Sequence, residues 1–428
     1  MKPRLLFWKV PAMDLLGTAP EEAESYGDGN FVYIFDNTSK ENYFGYLAVL
    51  EKSGFVKYVD NAEGLFSQVF SASYVLMNNL YPGSGLVLTA TYVVKTKKTY
   101  ISVCEGLPLS DHLFYKDEYL RGNADGAKTT LHMLEHWKSG NSFVIQLKNG
   151  HFLVCDGGDS NDLPYLLDYL EKLAPAGEKP VVEGWLITHA HGDHSDLLTP
   201  FVTKPEYAQR LFVEGIYLNV PNDRVIALDP QTREDIFHVK TAARYALKTT
   251  QGNAPKIYRP QTGQRYYFND ITVDILVGQE QIPYETYDGA FGVDFNDSST
   301  WYMITIDGQK CLFTGDADRG GAAFAMQAYE PQHVAADVYT LRHHGYNTED
   351  YFTDFCSVKT VLATARGEWK LPTANGKGES NAYLQSKVEE FIFWGDGTKV
   401  LTFPYAVGSY ETLPKREWIY HQGKERPN

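Results

Sequence analysis

Any fold proposed for this chain has to accommodate one short stretch, Thr188-His189-Ala190-His191-Gly192-Asp193-His194. The residues before it, Val181 to Thr188, read as a buried apolar strand that runs directly into the cluster. His189 and His191 are two apart, so an extended segment points them the same way. Gly192 then lets the chain turn before Asp193 and His194. Imidazole nitrogen and carboxylate oxygen together suit zinc, with manganese and iron as rivals. A set of surface histidines is a poor account of four such residues placed at the end of a strand.

Composition narrows the partners. The chain has 428 residues and a formal net charge of -15. Such a field repels a long polyanion, so a protein that coats DNA or RNA is disfavoured. A small anionic substrate drawn to a metal ion remains compatible, because the metal's charge acts locally. The four cysteines, Cys104, Cys155, Cys311 and Cys356, lie far apart and form no C-x-x-C pair. No run of about 18 apolar residues exists, so no membrane helix is expected. The apolar stretch Leu5 to Trp8 is too short for the centre of a secretory signal, and the cytoplasm is the expected location.

Two parts are expected along the chain. Residues 1–128 read as a small α+β accessory module and a linker, and residues 129–428 as a mixed α/β domain. In the first part, 31–35 is a strand. Tyr43, Tyr46, Leu47 and Leu50 fall at helical spacing over 40–53. Short strands are expected near 55–59, 72–77, 86–95 and 99–103, and the alternation from Thr89 to Val94 suits a sheet with one wet face. Residues 107–128 have the glycines and charges of a linker. In the second part, Asn149-Gly150 joins two apolar strands as a hairpin, and 163–173 is an amphipathic helix. Further helices are expected near 232–248, 349–356 and 381–393. Strands are expected at 211–219, 271–276, 301–306, 310–314, 337–341, 358–363 and 399–403.

The cluster matches H-x-H-x-D-H, and here the chain resembles the metallo-β-lactamase superfamily of metallo-hydrolases. The resemblance covers about residues 129–428. It extends to Val154-Cys155-Asp156-Gly157-Gly158, to Leu312-Phe313-Thr314-Gly315-Asp316, and to Leu341-Arg342-His343-His344-Gly345. What it implies is a four-layer αββα sandwich with two divalent metal ions, zinc first among the candidates. By that resemblance His189 and His191 hold one ion, and Asp193, His194 and His343 hold the other, with Asp316 between them. His343 is taken as the ligand because it lies nearer its strand than His344, which is left to hydrogen bonding or substrate contact. The nucleophile would be metal-bound hydroxide, with Asp193 orienting it or taking its proton. Asp156 is expected to fix an imidazole tautomer from behind.

One departure narrows the resemblance. The family's further first-site histidine has no counterpart, because only His238 lies between His194 and Asp316, in a charged helical stretch. Asn296 or Asp297 is expected in that place, which leaves the first site short of nitrogen ligands. An N-x-S element before a strand, then Thr-Gly-Asp, then His-His-Gly, is similar to the soluble hydrolase part of competence-type DNA-uptake proteins. The helix, strand, helix, strand order expected after His-His-Gly agrees. That branch implies a phosphodiester substrate. A lactone, thioester or β-lactam hydrolase on the same metals is the alternative, and a non-catalytic metal-containing binding protein is a third reading. Asn219 follows an apolar strand and is a candidate substrate contact. Tyr346 and Asn347 could line the same mouth, although a plain loop role is the first expectation for both. Gly289, Gly292 and Asp294 sit in a candidate lid loop. Lys240, Arg244 and Lys248 read as a solvated helix face.

Overall fold

The structure, a computed structural model, describes residues 10–11, 13–17, 22–25, 30–77, 85–105, 126–136, 140–219, 248–252, 255–281, 295–365, 371–373 and 376–415. Helix 232–248, His238, Lys240, Arg244, the Lys248 side chain, the glycines and aspartate of the lid loop and most of the linker lie outside them.

The N-terminal strands form one antiparallel sheet, in the spatial order Glu22–Ser25, Asn30–Phe35, Lys98–Glu105, Gly85–Val93, Val69–Met77, Val56–Leu65. The helix Lys40–Lys52 starts where the Ser39 hydroxyl accepts the Asn42 amide at 3.0 Å. It buries Tyr43, Tyr46, Leu47 and Leu50 against Tyr74, Leu88 and Ile101 of the sheet. The opposite face is not wet. Ser71, Ser73, Thr89 and Thr91 are buried, because the turn at 262–264 from the second part closes over them. Gln264 Nε2 donates to Ser73 Oγ at 2.9 Å, and Asn61 Nδ2 donates to the Gly263 carbonyl at 2.8 Å. Alternation marked that face as polar, but hydroxyls that find partners can be buried as cheaply as they are solvated.

From residue 129 on, two sheets lie face to face. The first runs Lys256–Tyr258, Gly215–Leu218, Val181–Ile187, Phe152–Asp156, Ser142–Gln146, Thr130–Met133, Lys399–Thr402, Glu411–Thr412, with Phe212–Val213 beside Val181–Ile187. The second runs Arg265–Phe268, Ile271–Val277, Trp301–Ile306, Gln309–Phe313, Ala336–Thr340, Val358–Ala363, Glu390–Phe393. Phe143, Leu153, Cys155 and Leu186 of the first meet Ile275, Tyr302, Ile304 and Phe313 of the second in one apolar interior. Outside, the helix Leu163–Leu173 and the short helix Leu198–Thr203 cover the first sheet. The helices Arg319–Ala328, Asp350–Phe355 and Lys377–Lys387 cover the second. The result is the expected four-layer αββα sandwich.

Two expectations need correcting. The helix expected over 381–393 spans Lys377–Lys387, and Glu390–Phe393 is instead an edge strand parallel to Val358–Ala363. Among the described residues the order after His-His-Gly is therefore helix, strand, helix and then three strands. Among the described residues no helix is long and apolar enough to cross a membrane.

Candidate metal centre

The strands Phe152–Asp156 and Val181–Ile187 are parallel neighbours, with Cys155 beside Leu186. They therefore release Asp156 and the histidine cluster at the same end of the first sheet. In the second sheet, Gln309–Phe313 and Ala336–Thr340 are also parallel neighbours. They deliver Asp316 and the two adjacent histidines to the facing end. Ligand candidates far apart in sequence thus converge where both sheets stop.

Short contacts fix how the loops meet. Gly315 has φ 53°, and a Cβ there would lie 2.7 Å from Thr188 Cβ, so only glycine fits. Its carbonyl accepts the His343 amide at 3.1 Å. The Ser299 hydroxyl accepts the Asp316 amide at 3.2 Å, and the Thr300 amide donates to the Thr188 carbonyl at 2.8 Å. The segment 295–300 therefore stands beside Thr188, where Asn296 and Asp297 were expected to come near the first site. Both are buried in a short turn there.

Asp156 lies behind the cluster, between Thr188 and His194. One carboxylate oxygen accepts the Thr188 amide at 2.8 Å, and the other accepts His194 Nδ1–H at 2.8 Å. That assigns the proton of His194 to Nδ1 and turns Nε2 inward, to 3.1 Å from Asp316 Oδ1. His344 is held in the same way. Its Nδ1 pairs with Thr364 Oγ1 at 2.8 Å, and its Nε2 lies 3.2 Å from Asp193 Oδ2 and 3.5 Å from Asp316 Oδ2. One donor atom from each of Asp193, His194, Asp316 and His344 falls within 4.8 Å of all the others.

The structure thus puts His344, and not His343, in the four-residue cluster. Both histidines are left-handed, at φ 48° and 51°, a conformation that costs non-glycine residues of the order of 1–3 kcal/mol each. Across this double turn the His344 ring faces both Asp193 and Asp316, whereas His343 approaches Asp316 alone. His343 Nε2 stays 3.7 Å from Asp316 Oδ2, and its side chain is 26 % exposed. Nearness to the strand is a poor guide when the backbone reverses at that point. His189 is fully buried with Nδ1 3.1 Å from Thr188 Oγ1, and its ring centroid lies 4.7 Å from that of His191 and 4.2 Å from that of His194. The pair therefore sits against the four-residue cluster.

Asn219, a candidate substrate contact from sequence, has its amide engaged within the chain. Its side chain is wholly buried, accepting from Arg259 Nε at 2.8 Å and Gln279 Nε2 at 2.6 Å and donating to the Pro260 carbonyl at 2.8 Å. Asn347 Nδ2 donates to the Asp316 carbonyl at 3.1 Å, so it braces the aspartate loop. Arg342 does likewise, buried beneath the loop, with its Nε on the Asn347 carbonyl at 2.9 Å and a 2.8 Å ion pair to Glu349. Sequence reading missed Arg342, Glu349 and Thr364, and Arg342 standing beside two histidines was the available signal.

The residues fit a divalent cation. His189 Nε2, His194 Nε2, Asp316 Oδ1 and His344 Nε2 are buried, and none makes a well-directed hydrogen bond. Burial would lower the pKa of His194, yet Asp316, Asp156 and Asp193 hold it well above the ordinary histidine range. For His344 burial pulls down, and Asp316 and Asp193 raise it. Burial would raise Asp316, but His194, His344 and His343 keep it ionised far into acid. His189 is pushed well below the usual value by burial and by His194 and His191. The pocket is thus built around a demand for positive charge, beside a neutral imidazole with a bare lone pair.

The architecture is a four-layer αββα sandwich that gathers histidine and aspartate side chains where both sheets stop. No family model matches the chain, and no curated protein does. Among solved structures it is similar to Zn(2+)-bound PqqB from Methylobacterium extorquens, at 11 % identity and a TM-score of 0.38 over 61 % of this chain and 87 % of that one. It is also similar to a metallo-β-lactamase with an HARLDQ motif from Cronobacter sakazakii, at 12 % identity and a TM-score of 0.29 over 48 % of this chain and 75 % of that one.

Proposed function

We propose that this protein is a metal-dependent hydrolase acting on a phosphodiester. The observation that carries the reading is the convergence of buried His194, Asp316 and His344 with half-buried Asp193. Two carboxylates and two imidazoles suit zinc and also the harder manganese ion, which favours phosphoryl oxygen. The four residues would hold the tighter ion. His189 and His191, completed by oxygen from the 296–297 turn, would hold a second and weaker one.

Bound there, a divalent cation supplies a Lewis acid and lowers the pKa of water. The chain's own residues do the rest. Asp156 holds His194 in the tautomer that presents Nε2, and Thr364 fixes the orientation of the His344 ring. Asp193 has a side chain 35 % exposed, against 3 % for Asp316. It is the carboxylate that solvent reaches, and it would take the proton of the attacking water at Oδ1, the oxygen not facing His344. The small anionic substrate enters from that side, and the cytoplasm is the expected setting.

Two measurements test this. Metal analysis of the purified protein should find at least one equivalent of zinc, manganese or iron per chain. The zinc- and manganese-loaded protein should then cleave bis(p-nitrophenyl) phosphate faster than p-nitrophenyl phosphate, a lactone or a thioester. Turnover of a carboxyl-derived ester alone would replace the phosphodiester, and no bound metal at all would favour a binding protein.

A further inference from the structure

We propose that Tyr346, with the His343 ring beside it, forms a stacking platform for a planar group, which makes a nucleobase-bearing phosphodiester the class of substrate. The inference rests on the phosphodiester reading above.

Tyr346 lies two residues beyond His344 and is 55 % exposed. Among the described residues only three other large hydrophobic side chains are exposed, Val56, Tyr351 and Val407. Of these, Tyr351 turns its hydroxyl back onto Glu349. Tyr346 makes no hydrogen bond through its hydroxyl to any described residue. Its ring meets His343, with centroids 5.3 Å apart and planes at 48°.

The loop that displays Tyr346 is held rigidly. The Tyr346 amide donates to the His343 carbonyl at 2.7 Å. Arg342 grips the Asn347 carbonyl from below, and Asn347 reaches back to the Asp316 carbonyl. An exposed ring on a floppy loop would lose much of its stacking energy to ordering, whereas one on a braced loop is already in place. The double left-handed turn gives a second reason to see design in the placement. The His344 ring faces both acids, and the His343 ring, 26 % exposed, lies between Asp316 and the tyrosine. Strain of that kind persists where the surrounding structure enforces it, and it concentrates at binding sites. Aromatic faces at the mouth of a metal pocket suit a flat, polarisable group, and a base beside a phosphodiester is such a group.

The test is calorimetric binding to the manganese-loaded, full-length protein, with adenosine 5′-monophosphate, ribose 5-phosphate and adenosine as probes. The monophosphate should bind about tenfold more tightly than ribose 5-phosphate. Tyr346→Ala should remove that advantage, and Tyr346→Phe should restore it. Circular dichroism and metal content identify a variant that has merely misfolded, and Tyr346→Leu, which keeps bulk without a π-face, then decides in its place. If ribose 5-phosphate binds and the base adds nothing, the platform is wrong and the phosphate reading survives. If adenosine binds through Tyr346 while ribose 5-phosphate does not bind, the platform survives and the phosphate reading falls. If none of the three binds, both fall.

Discussion

His132 and His194 are both buried histidines at or just beyond a strand of the same sheet, yet they spend their nitrogens differently. His132 pairs both, with Thr130 Oγ1 at 2.7 Å and Tyr169 Oη at 2.7 Å. His194 pairs only Nδ1, with Asp156, and leaves Nε2 aimed at Asp316. His189 and His344 repeat the second pattern through Thr188 and Thr364. A histidine that only fills a core satisfies itself within the chain, because an unmade bond on a buried nitrogen costs about 1–3 kcal/mol. Three neighbouring histidines that each forgo a bond mark a place built for something else. His151, paired with Glu183 at 2.7 Å away from the cluster, makes no such group.

The contrast can be broken first at the ligands. Removing one of four donors from an ion held by roughly 10–16 kcal/mol should cost about 3–4 kcal/mol. Asp316→Ala and His344→Ala should therefore lose the tight ion at micromolar chelator, read by native mass spectrometry, and should lose activity with it. Retention of the ion in His344→Ala would return the ligand role to His343.

Next comes the structural histidine. Burial depresses His132 from 6.5 to about 4. Between those values the unfolded chain binds the proton that the folded chain refuses. Its contribution is complete above about pH 6.5 and is lost as pH falls towards 4, up to about 3 kcal/mol in all. Urea titrations across that range should show the loss, and His132→Gln should flatten it. An unchanged slope in the variant would mean that other groups carry the acid sensitivity.

A smaller effect is expected one layer out from the ligands. Asp156→Ala should weaken metal binding 10–100-fold, or about 1.4–2.7 kcal/mol, since Nδ1 of His194 loses its acceptor. Equilibrium competition with a chromophoric chelator measures this directly. The smallest effect is at His343. In His343→Ala the number of bound ions should not change, and their affinity should move less than about tenfold.

Much of the sandwich was readable from pattern. The helix Leu163–Leu173 follows its leucine spacing, and the Asn149-Gly150 hairpin joins the strands it was expected to join. By resemblance Asp156 was expected to accept from an imidazole, and the structure places it 2.8 Å from His194 Nδ1. Other features were settled only by three-dimensional context. Glu390–Phe393 looks helical when read with the residues before it, but Phe391 and Phe393 pack beside each other on the sheet. Asn219 sits at a strand end as read, but Arg259 and Glu280, from distant stretches, consume its amide. The choice between two adjacent histidines turned on backbone angles that side-chain chemistry does not encode.

Gly315 sets the width of the pocket. Thr188, Ser299 and His343 all rest against or bond to this one residue, so it works as a spacer of fixed thickness between the halves of the pocket. A single added methyl would act as a shim against Thr188, on the loop that carries Asp316. An ion that tolerates only small errors in bond length would feel that shim long before the fold did. The calibration of the pocket thus depends on a residue that has no side chain to contribute.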